Sequence, residues 1–467
     1  MNTLKGIGFF FDPESIAIIG ASPTSGKASH VILENLKRIG YKGSIYPVNP
    51  KYEHIDGMKC YASIADIGEQ VDVAIFVLPA SKVLDILKGP VENIRGVIII
   101  SSGFREVEKG KLLEEELKMI AEEKGIRIIG PNCLGIYDAI YGVDTFLVPT
   151  EHVKRPKKGG LSILTQSGSF AVLIMDEMAT EGIGVARIVS YGNKVDVDEA
   201  DCLDLLADDE DTRYVLLYIE SVENGREFVD AASRCAAKKP VIAIKVGRGE
   251  AGMHAARSHT GAMGGKYEIY RAAFRKAGII EVDGYEGLKD ACRVLDAYDI
   301  VDGNKVLIIT DGGGIGVSMA DACEDFGLDV KRLSSSSKNN LSTRLPAFSA
   351  MDNPIDLTAS AKDDDYFTAL EEGFMNGYDL AIVTVLWGAP ALTAGVVGRI
   401  YEVQTRYNKP VIICSPGGEF TRNMYRLFEE KGMPVFSTPE AAVRAAAVLT
   451  GRGTVRDNIL KGAGPWI

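Results

Sequence analysis

The sequence predicts an α/β protein made of three parallel-sheet domains of the Rossmann or flavodoxin kind. Three observations carry that reading. Apolar, β-branched runs alternate with helix-period segments from one end of the chain to the other, the pattern of strands covered by helices on both faces. The length, 467 residues, exceeds what one hydrophobic core supports and suggests about three domains. Residues 149–160 interrupt the periodicity with Pro149, Pro156, four basic residues and two glycines, and read as a linker.

The elements follow in order. In a first domain, 1–146, strands are predicted at 15–20, 44–48, 73–78, 97–101 and 127–129. A helix is expected at 110–124, where Leu112, Leu113, Leu117 and Ile120 fall on one face. A second domain, 147–300, carries strands at 161–165, 186–190, 214–219, 241–245 and 279–282. The third, 301–467, has strands at 305–310, 380–385 and 411–414 and ends in a helix over 439–450. The last two domains read as distant copies of each other. ILTQSGS at 163–169 and IITDGGG at 308–314 each set a polar, small-residue turn between strand and helix, followed by second strands at 186–190 and 330–334.

Composition narrows the function. A net charge of −12 with no Lys/Arg-rich run argues against nucleic acid as a partner. The longest apolar runs, such as 71–80, fall well short of the roughly 20 residues of a membrane helix. Residues 1–12 hold one lysine and no long apolar stretch, so no signal peptide is expected and the cytoplasm is the anticipated location. Seven cysteines are scattered with no CxxC, which reads as reduced core thiols and no metal site.

The first strand leads into Gly20-Ala21-Ser22-Pro23-Thr24-Ser25-Gly26-Lys27, a turn that offers backbone N–H groups and a helix end to phosphate. Its spacing fits neither a Walker A loop nor GxGxxG. The second strand ends in Asn49-Pro50-Lys51 where an NAD site would carry an acid; a lysine there suits a phosphorylated ribose, as in CoA or NADP. Residues 247–265 pack six glycines and two histidines behind a strand, too long for a tight connection and expected to be a functional loop. His259, flanked by small residues, is the candidate nucleophile, and His254 is its competitor. Glu220 stands at the carboxyl end of a strand, where it could orient an imidazole. Asp198-Glu199-Ala200-Asp201 spells a helicase box but reads as an acidic helix start.

SHTGA at 258–262, with YIE at 218–220 upstream, resembles the phosphohistidine segment of the succinyl-CoA synthetase superfamily. Further segments are similar to the alpha subunit of NDP-forming acyl-CoA synthetases: IGAS at 19–22, YPVNP at 46–50, IIGPNCLG at 128–135, LTQSGS at 164–169 and 190–209. The resemblance covers essentially the whole chain. It implies an acid–thiol ligase that interconverts acyl-CoA, ADP and phosphate with organic acid, ATP and CoA. His259 would carry the phosphoryl group and Glu220 would steady it. Phosphate would lie between two helix ends, at Ser167–Gly168 and at Gly312, Gly313 and Gly314. CoA would contact Gly20, Ala21, Ser22, Lys27, Asn49, Pro50 and Lys51. Its thiol end would pass Val77 and Pro79, then Ser101, Ser102 and Gly103, then Asn132 and Cys133. The chain carries no ATP-grasp segment, so the resemblance further implies a separate ATP-grasp beta subunit bringing ADP or ATP and Mg²⁺, in an α2β2 assembly. Two rival readings are a non-catalytic CoA-binding sensor and an NADP-dependent oxidoreductase.

Overall fold

The computed structural model describes residues 6–260 and 266–460. The chain folds into two compact units, Met1–Glu281 and Val282–Ile467. Three main sheets dominate, and all three share one strand order.

In the first sheet the strands run Ser44–Val48, Ser15–Ile19, Val71–Phe76, Ile94–Ile99 and Arg127–Ile129, all parallel. The second has the core order Val185–Ser190, Lys158–Thr165, Tyr214–Ile219, Val241–Lys245 and Ile280–Glu281. The third, in the other unit, runs Ile355–Asp356, Val306–Thr310, Leu380–Thr384, Val411–Cys414 and Val435–Phe436. Numbered along the chain within each domain, the five core strands of every sheet read 2-1-3-4-5; in the third sheet Ala350–Met351 adds an antiparallel edge strand beside Ile355–Asp356. That doubly wound order places ligand sites at the carboxyl ends of the strands, where the order reverses. The central strands are buried on both faces, because helices cover each side; Val71–Phe76 and Leu380–Thr384 expose no residue at all.

Three features depart from the sequence reading. Gly135–Asp138 and Val143–Asp144 form an antiparallel extension of the second sheet, pairing through Val185–Ser190. Residues 330–334 form no strand; the second-strand place beside Val306–Thr310 is taken by the two-residue strand Ile355–Asp356. The helix Gly284–Ala297 packs against Pro439–Leu460 in the second unit, where Arg444 binds Asp290 at 2.7 Å. All seven cysteines are buried, and none forms a disulfide. Among the described residues no helix is long and apolar enough to cross a membrane.

Candidate functional site

The first strand ends in a turn that only glycine tolerates. Gly20 has φ +88°, and a Cβ there would lie 2.9 Å from the Val77 carbonyl oxygen. The tight turn opens a cleft of about 810 Å³ above the carboxyl edge of the first sheet. Gly20, Ser22, Lys27, Asn49, Pro50, Lys51 and Val77, all among the residues the resemblance assigns to CoA, line it. Asn49 braces its wall: its side-chain amide donates to the Ala21 carbonyl at 2.7 Å and its side-chain oxygen accepts from Lys51 N at 3.0 Å. The N–H groups of Gly20 and Ala21 are not offered to a ligand, because both donate to the Val48 carbonyl. Ala21 is buried beneath the cleft. Pro79 caps the helix Ala80–Leu87, and the Ser101 hydroxyl accepts from Leu78 N at 3.1 Å. Gly103 turns at φ +106° and donates to Glu106. These three shape the turns without lining the cleft. Lys82, unremarked in the sequence, joins Lys27 and Lys51 as an exposed cation on its lining.

A second pocket of about 300 Å³ lies in the same unit, where the first and second sheets meet. Ser102, Asn132 and Cys133 line it from the first sheet, and Ser167 and Gly168 from the second. The helix Gly168–Thr180 points its N-terminus into this space, capped by Ser167, whose hydroxyl accepts from Phe170 N at 3.2 Å. Asn132 holds the left-handed conformation at φ +56°. The chain crosses it so closely at Gly192 that a Cβ there would sit 2.3 Å from the Asn132 carbonyl oxygen. Cys133 is chemically quiet: its thiol donates to the Ile99 carbonyl at 3.3 Å, and burial pushes it up to about 12.

Glu220 lies 7% exposed just past the strand Tyr214–Ile219. Every main-chain polar group of the Glu220–Ser221 dipeptide is taken by a buried side chain. The Gln166 side-chain oxygen accepts from Glu220 N and, at 2.8 Å, from Ser221 N. Lys245 donates to the Glu220 carbonyl at 2.8 Å and Lys194 donates to the Ser221 carbonyl at 2.8 Å. Lys194 is further paired with the buried Glu199, at 3.0 Å to both carboxylate oxygens. Lys245 also donates to the Val246 carbonyl and sits 4.6 Å from the Tyr270 ring centre. Burial pushes the Lys245 ammonium down to about 8, with Glu220 pulling the other way. The residue beside the helix cap and the carboxylate after the third strand are thus held as one piece.

Behind this clamp the chain enters the histidine segment. Residues 250–260, expected to be loop, form the helix Glu250–Thr260. Ala251, Met253, Ala255 and Ala256 are good helix formers and Glu250 suits the positive end, so propensity overrides the glycine content there. His254 is exposed on this helix. His259 belongs to the same helix, but its side chain lies outside the described residues. Gly312, Gly313 and Gly314 open the helix Gly313–Asp325 in the second unit. No group of three or more His, Cys, Asp or Glu able to hold a metal occurs among the described residues.

Three family models match the chain: a CoA binding domain over residues 14–139, a succinyl-CoA ligase like flavodoxin domain over 158–295 and a Ligase-CoA domain over 306–452. The alpha subunit of acetate–CoA ligase (ADP-forming) I from Pyrococcus furiosus is 36% identical over 450 residues, covering 94% of this chain and 96% of that one. The chain belongs to the ADP-forming acetate–CoA ligase family. Acetate–CoA ligase (ADP-forming) I from Archaeoglobus fulgidus is also 36% identical, over 441 residues and 94% of this chain, but this chain spans only 62% of that relative's length. The solved structure of acetyl-coenzyme A synthetase 1 from Ca. Korarchaeum cryptofilum in complex with phosphate and ADP is similar at a TM-score of 0.91 and 32% identity, over 98% of this chain and 99% of that one.

Within this member of the family, the tertiary structure adds residues that the sequence did not single out. Gln166 sits inside the quoted LTQSGS segment, yet only the fold shows its reach to Glu220 and Ser221. Lys245 and Lys194 end a strand and a turn; a lysine inside an apolar run, as at Lys245, was the one available signal.

Proposed function

We propose that this chain is the acyl-transferring, phosphoryl-accepting alpha subunit of an ADP-forming acyl-CoA synthetase. The observation that carries the reading is the 300 Å³ pocket, in which the Asn132–Cys133 turn of the first domain and the helix N-terminus at Ser167–Gly168 share one space. An acyl thioester reaching down from the first cleft and an anion seated on the helix end would meet there. Lys27, Lys51 and Lys82 supply cations for the phosphates of CoA, and Asn49 fixes the wall beside them.

In this reading phosphate sits at the helix end, where backbone N–H groups and the helix dipole favour an anion. One of its oxygens attacks the thioester carbonyl; the C–S bond breaks, giving acyl phosphate and the CoA thiolate. A ring nitrogen of His259 then attacks phosphorus, the P–O bond to the acyl group breaks, and the organic acid leaves. Glu220 accepts a hydrogen bond from the other ring nitrogen and steadies the imidazole. The N–P bond breaks in turn when the terminal phosphate of ADP attacks, forming ATP. The nucleotide and Mg²⁺ belong to a partner beta subunit of the ATP-grasp kind, in an α2β2 complex, and every step is reversible.

The test is reconstitution with such a beta subunit and assay of ATP formed from acetyl-CoA, ADP and phosphate. Conversion that depends on both chains, with phosphate label retained on the alpha chain, supports the proposal. Conversion without label on that chain overturns the phosphohistidine. A chain whose melting temperature rises with NADP but not with CoA overturns the assignment of the first cleft.

A further inference from the structure

The apolar side of the 300 Å³ pocket has no part in the anion chemistry above, yet three aliphatic side chains are spent on it. Ile100, Leu134 and Leu147 line the space together with the Cys133 thiol, and among the described residues no Asp, Glu, Lys, Arg or His does. We propose that this wall is the acyl-binding slot and that Leu147 sets the length of acid the enzyme accepts, restricting it to short, uncharged aliphatic carboxylates. The inference rests on the acyl-transfer reading of the same site.

Polarity supports it first. A dicarboxylic acid would bring a second carboxylate that needs a cation or free donors. The pocket's amide side chains are already committed: Asn193 donates to Glu106 at 2.9 Å and Glu114 at 2.8 Å, and Asn132 donates to the Asn193 side-chain oxygen at 3.3 Å. The Gln166 amide nitrogen donates to the Ser221 hydroxyl at 3.3 Å. Behind Asn193 stand Glu106, Glu114 and Arg105, and the guanidinium is already paired with Glu114 at 3.1 Å and with Glu223 at 2.6 Å, so it is not spare for a distal carboxylate.

Size supports it next. A pocket of about 300 Å³ lies at the lower end of what ligand sites span, roughly 300–1,000 Å³. A phosphate on the helix end must share that space, which favours a compact chain over a long one.

Leu147 is the adjustable part of the wall. Ile100 and Leu134 are 7% and 9% exposed and locked in place. Leu134 N donates to the Ser190 hydroxyl at 3.2 Å, and the Leu134 side chain packs so near the helix start that a Cβ on Gly168 would lie 3.2 Å from it. Leu147 is half-buried on the connection between Val143–Asp144 and Lys158–Thr165. Its main chain is nonetheless fixed: the Asn35 side chain donates to the carbonyls of both neighbours, Phe146 at 2.8 Å and Val148 at 3.1 Å. A substitution at 147 therefore changes the side chain in the pocket and leaves the loop where it is.

The experiment is kcat/KM of the reconstituted complex in the acid-activating direction with acetate, propionate, butyrate, hexanoate, phenylacetate and succinate. The wild type is expected to favour the two- and three-carbon acids and to use succinate at least about 100-fold less well. Leu147→Ala should raise the ratio of hexanoate to acetate by on the order of 10-fold, the low end of what an apolar pocket makes of one methylene. Leu147→Phe should lower the ratio of butyrate to acetate. Leu147→Val gives a smaller shift in the same sense as alanine and serves if the alanine variant does not fold. Unchanged ratios in all folded variants, or a wild type that prefers succinate or phenylacetate, would overturn the slot while leaving acyl transfer intact. A complex active with no acid at all would overturn the acyl-transfer reading, and the slot with it.

Discussion

In the turn before the helix Gly168–Thr180, the Thr165 hydroxyl accepts from Ser167 N at 3.0 Å and donates to Ser167 O at 3.1 Å. In the turn before Gly313–Asp325, Thr310 makes the same pair of bonds to Gly312, at 3.0 and 2.9 Å. The residue between differs. Gln166 reaches the backbone after the third strand of its sheet as a neutral amide, whereas Asp311 reaches the equivalent backbone, Leu386 N at 2.9 Å, as an acid. The carbonyls after the third strand are held by Lys245 and Lys194 in the first unit, and by the Ser415 hydroxyl, on Val385 at 2.8 Å, in the second. Asp356 adds another carboxylate beside Gly313, 2.6 Å from where a Cβ would stand. One scaffold has been built twice with different charge. The first copy balances Lys194 and Lys245 against Glu199 and Glu220, whereas the second sets Asp311 and Asp356 beside its helix end, so the two termini are not equivalent anion sites.

Four experiments sharpen or break that comparison. The largest effect is expected at the phosphoryl acceptor: His259→Asn should abolish retention of phosphate label and turnover, and label that persists would move the role to His254. Next comes the clamp. Gln166→Ala leaves two buried N–H groups unpaired, at about 1–3 kcal/mol each, so phosphorylation should slow by on the order of 100-fold. Asp311→Ala, tested alongside, should slow it by about 10-fold or less, because one buried N–H is released there. Equal losses would erase the distinction between the copies.

The third prediction concerns pH. Lys245 holds its proton only below about 8, because burial disfavours the charge. Activity should therefore fall as pH rises through about 8, when the amine loses a donor on the Glu220 side. Lys245→Met should be slower throughout and lack that alkaline limb. The stability effect has the opposite sign. The unfolded chain binds this proton up to the ordinary lysine value of 10.5, so the cost of burying it shrinks as pH rises from about 8 to 10.5. A melting temperature that drops more steeply over that window in the wild type than in Lys245→Met would contradict the assignment.

The smallest effect belongs to Asp311, whose carboxyl burial pushes up to about 6. Its raised value means that its contribution to stability is present in acid and lost as pH rises through about 6. Asp311→Asn should lower KM for phosphate about two- to three-fold above pH 6 and leave it unchanged below pH 5, a shift of a few tenths of a kcal/mol typical of a charge near a helix end. A KM raised by that substitution would mean the carboxyl assists the anion.

Much of this was legible in the sequence. Strands such as Tyr214–Ile219, Val241–Lys245 and Val411–Cys414 begin and end where the apolar runs do, since a strand buried on both faces must be apolar throughout. The Asp198 segment is the helix start it was taken for: its side chain caps Glu199–Ala207. The pocket was legible only in pieces. Asn132–Cys133 and Ser167–Gly168 are far apart in the chain, and nothing local says that they share a cavity. The short strands Gly135–Asp138 and Val143–Asp144 were missed because an edge pairing depends on the neighbour it meets, here Val185–Ser190. Residues 330–334 erred the other way: the strand was expected from the spacing of the first copy, but only Val330 and Leu333 are apolar there, too few to hold a place in a sheet buried on both faces.

What the sequence by itself determined is the repeated strand–turn–helix plan, because period and turn chemistry are local and each copy needs the same ones. It also determined the small-residue turns, such as the one at Gly20, where a side chain would collide with the Val77 carbonyl. What only the tertiary structure decided is the charge and occupancy of those turns. Whether a backbone N–H is free, as at the helix end of Gly168, or already bonded, as at Gly20 and Ala21, depends on which distant strand lies beside it. Hydrogen bonds between segments remote in sequence, such as Gln166 to Glu220 and Asn35 to the neighbours of Leu147, have no period to betray them.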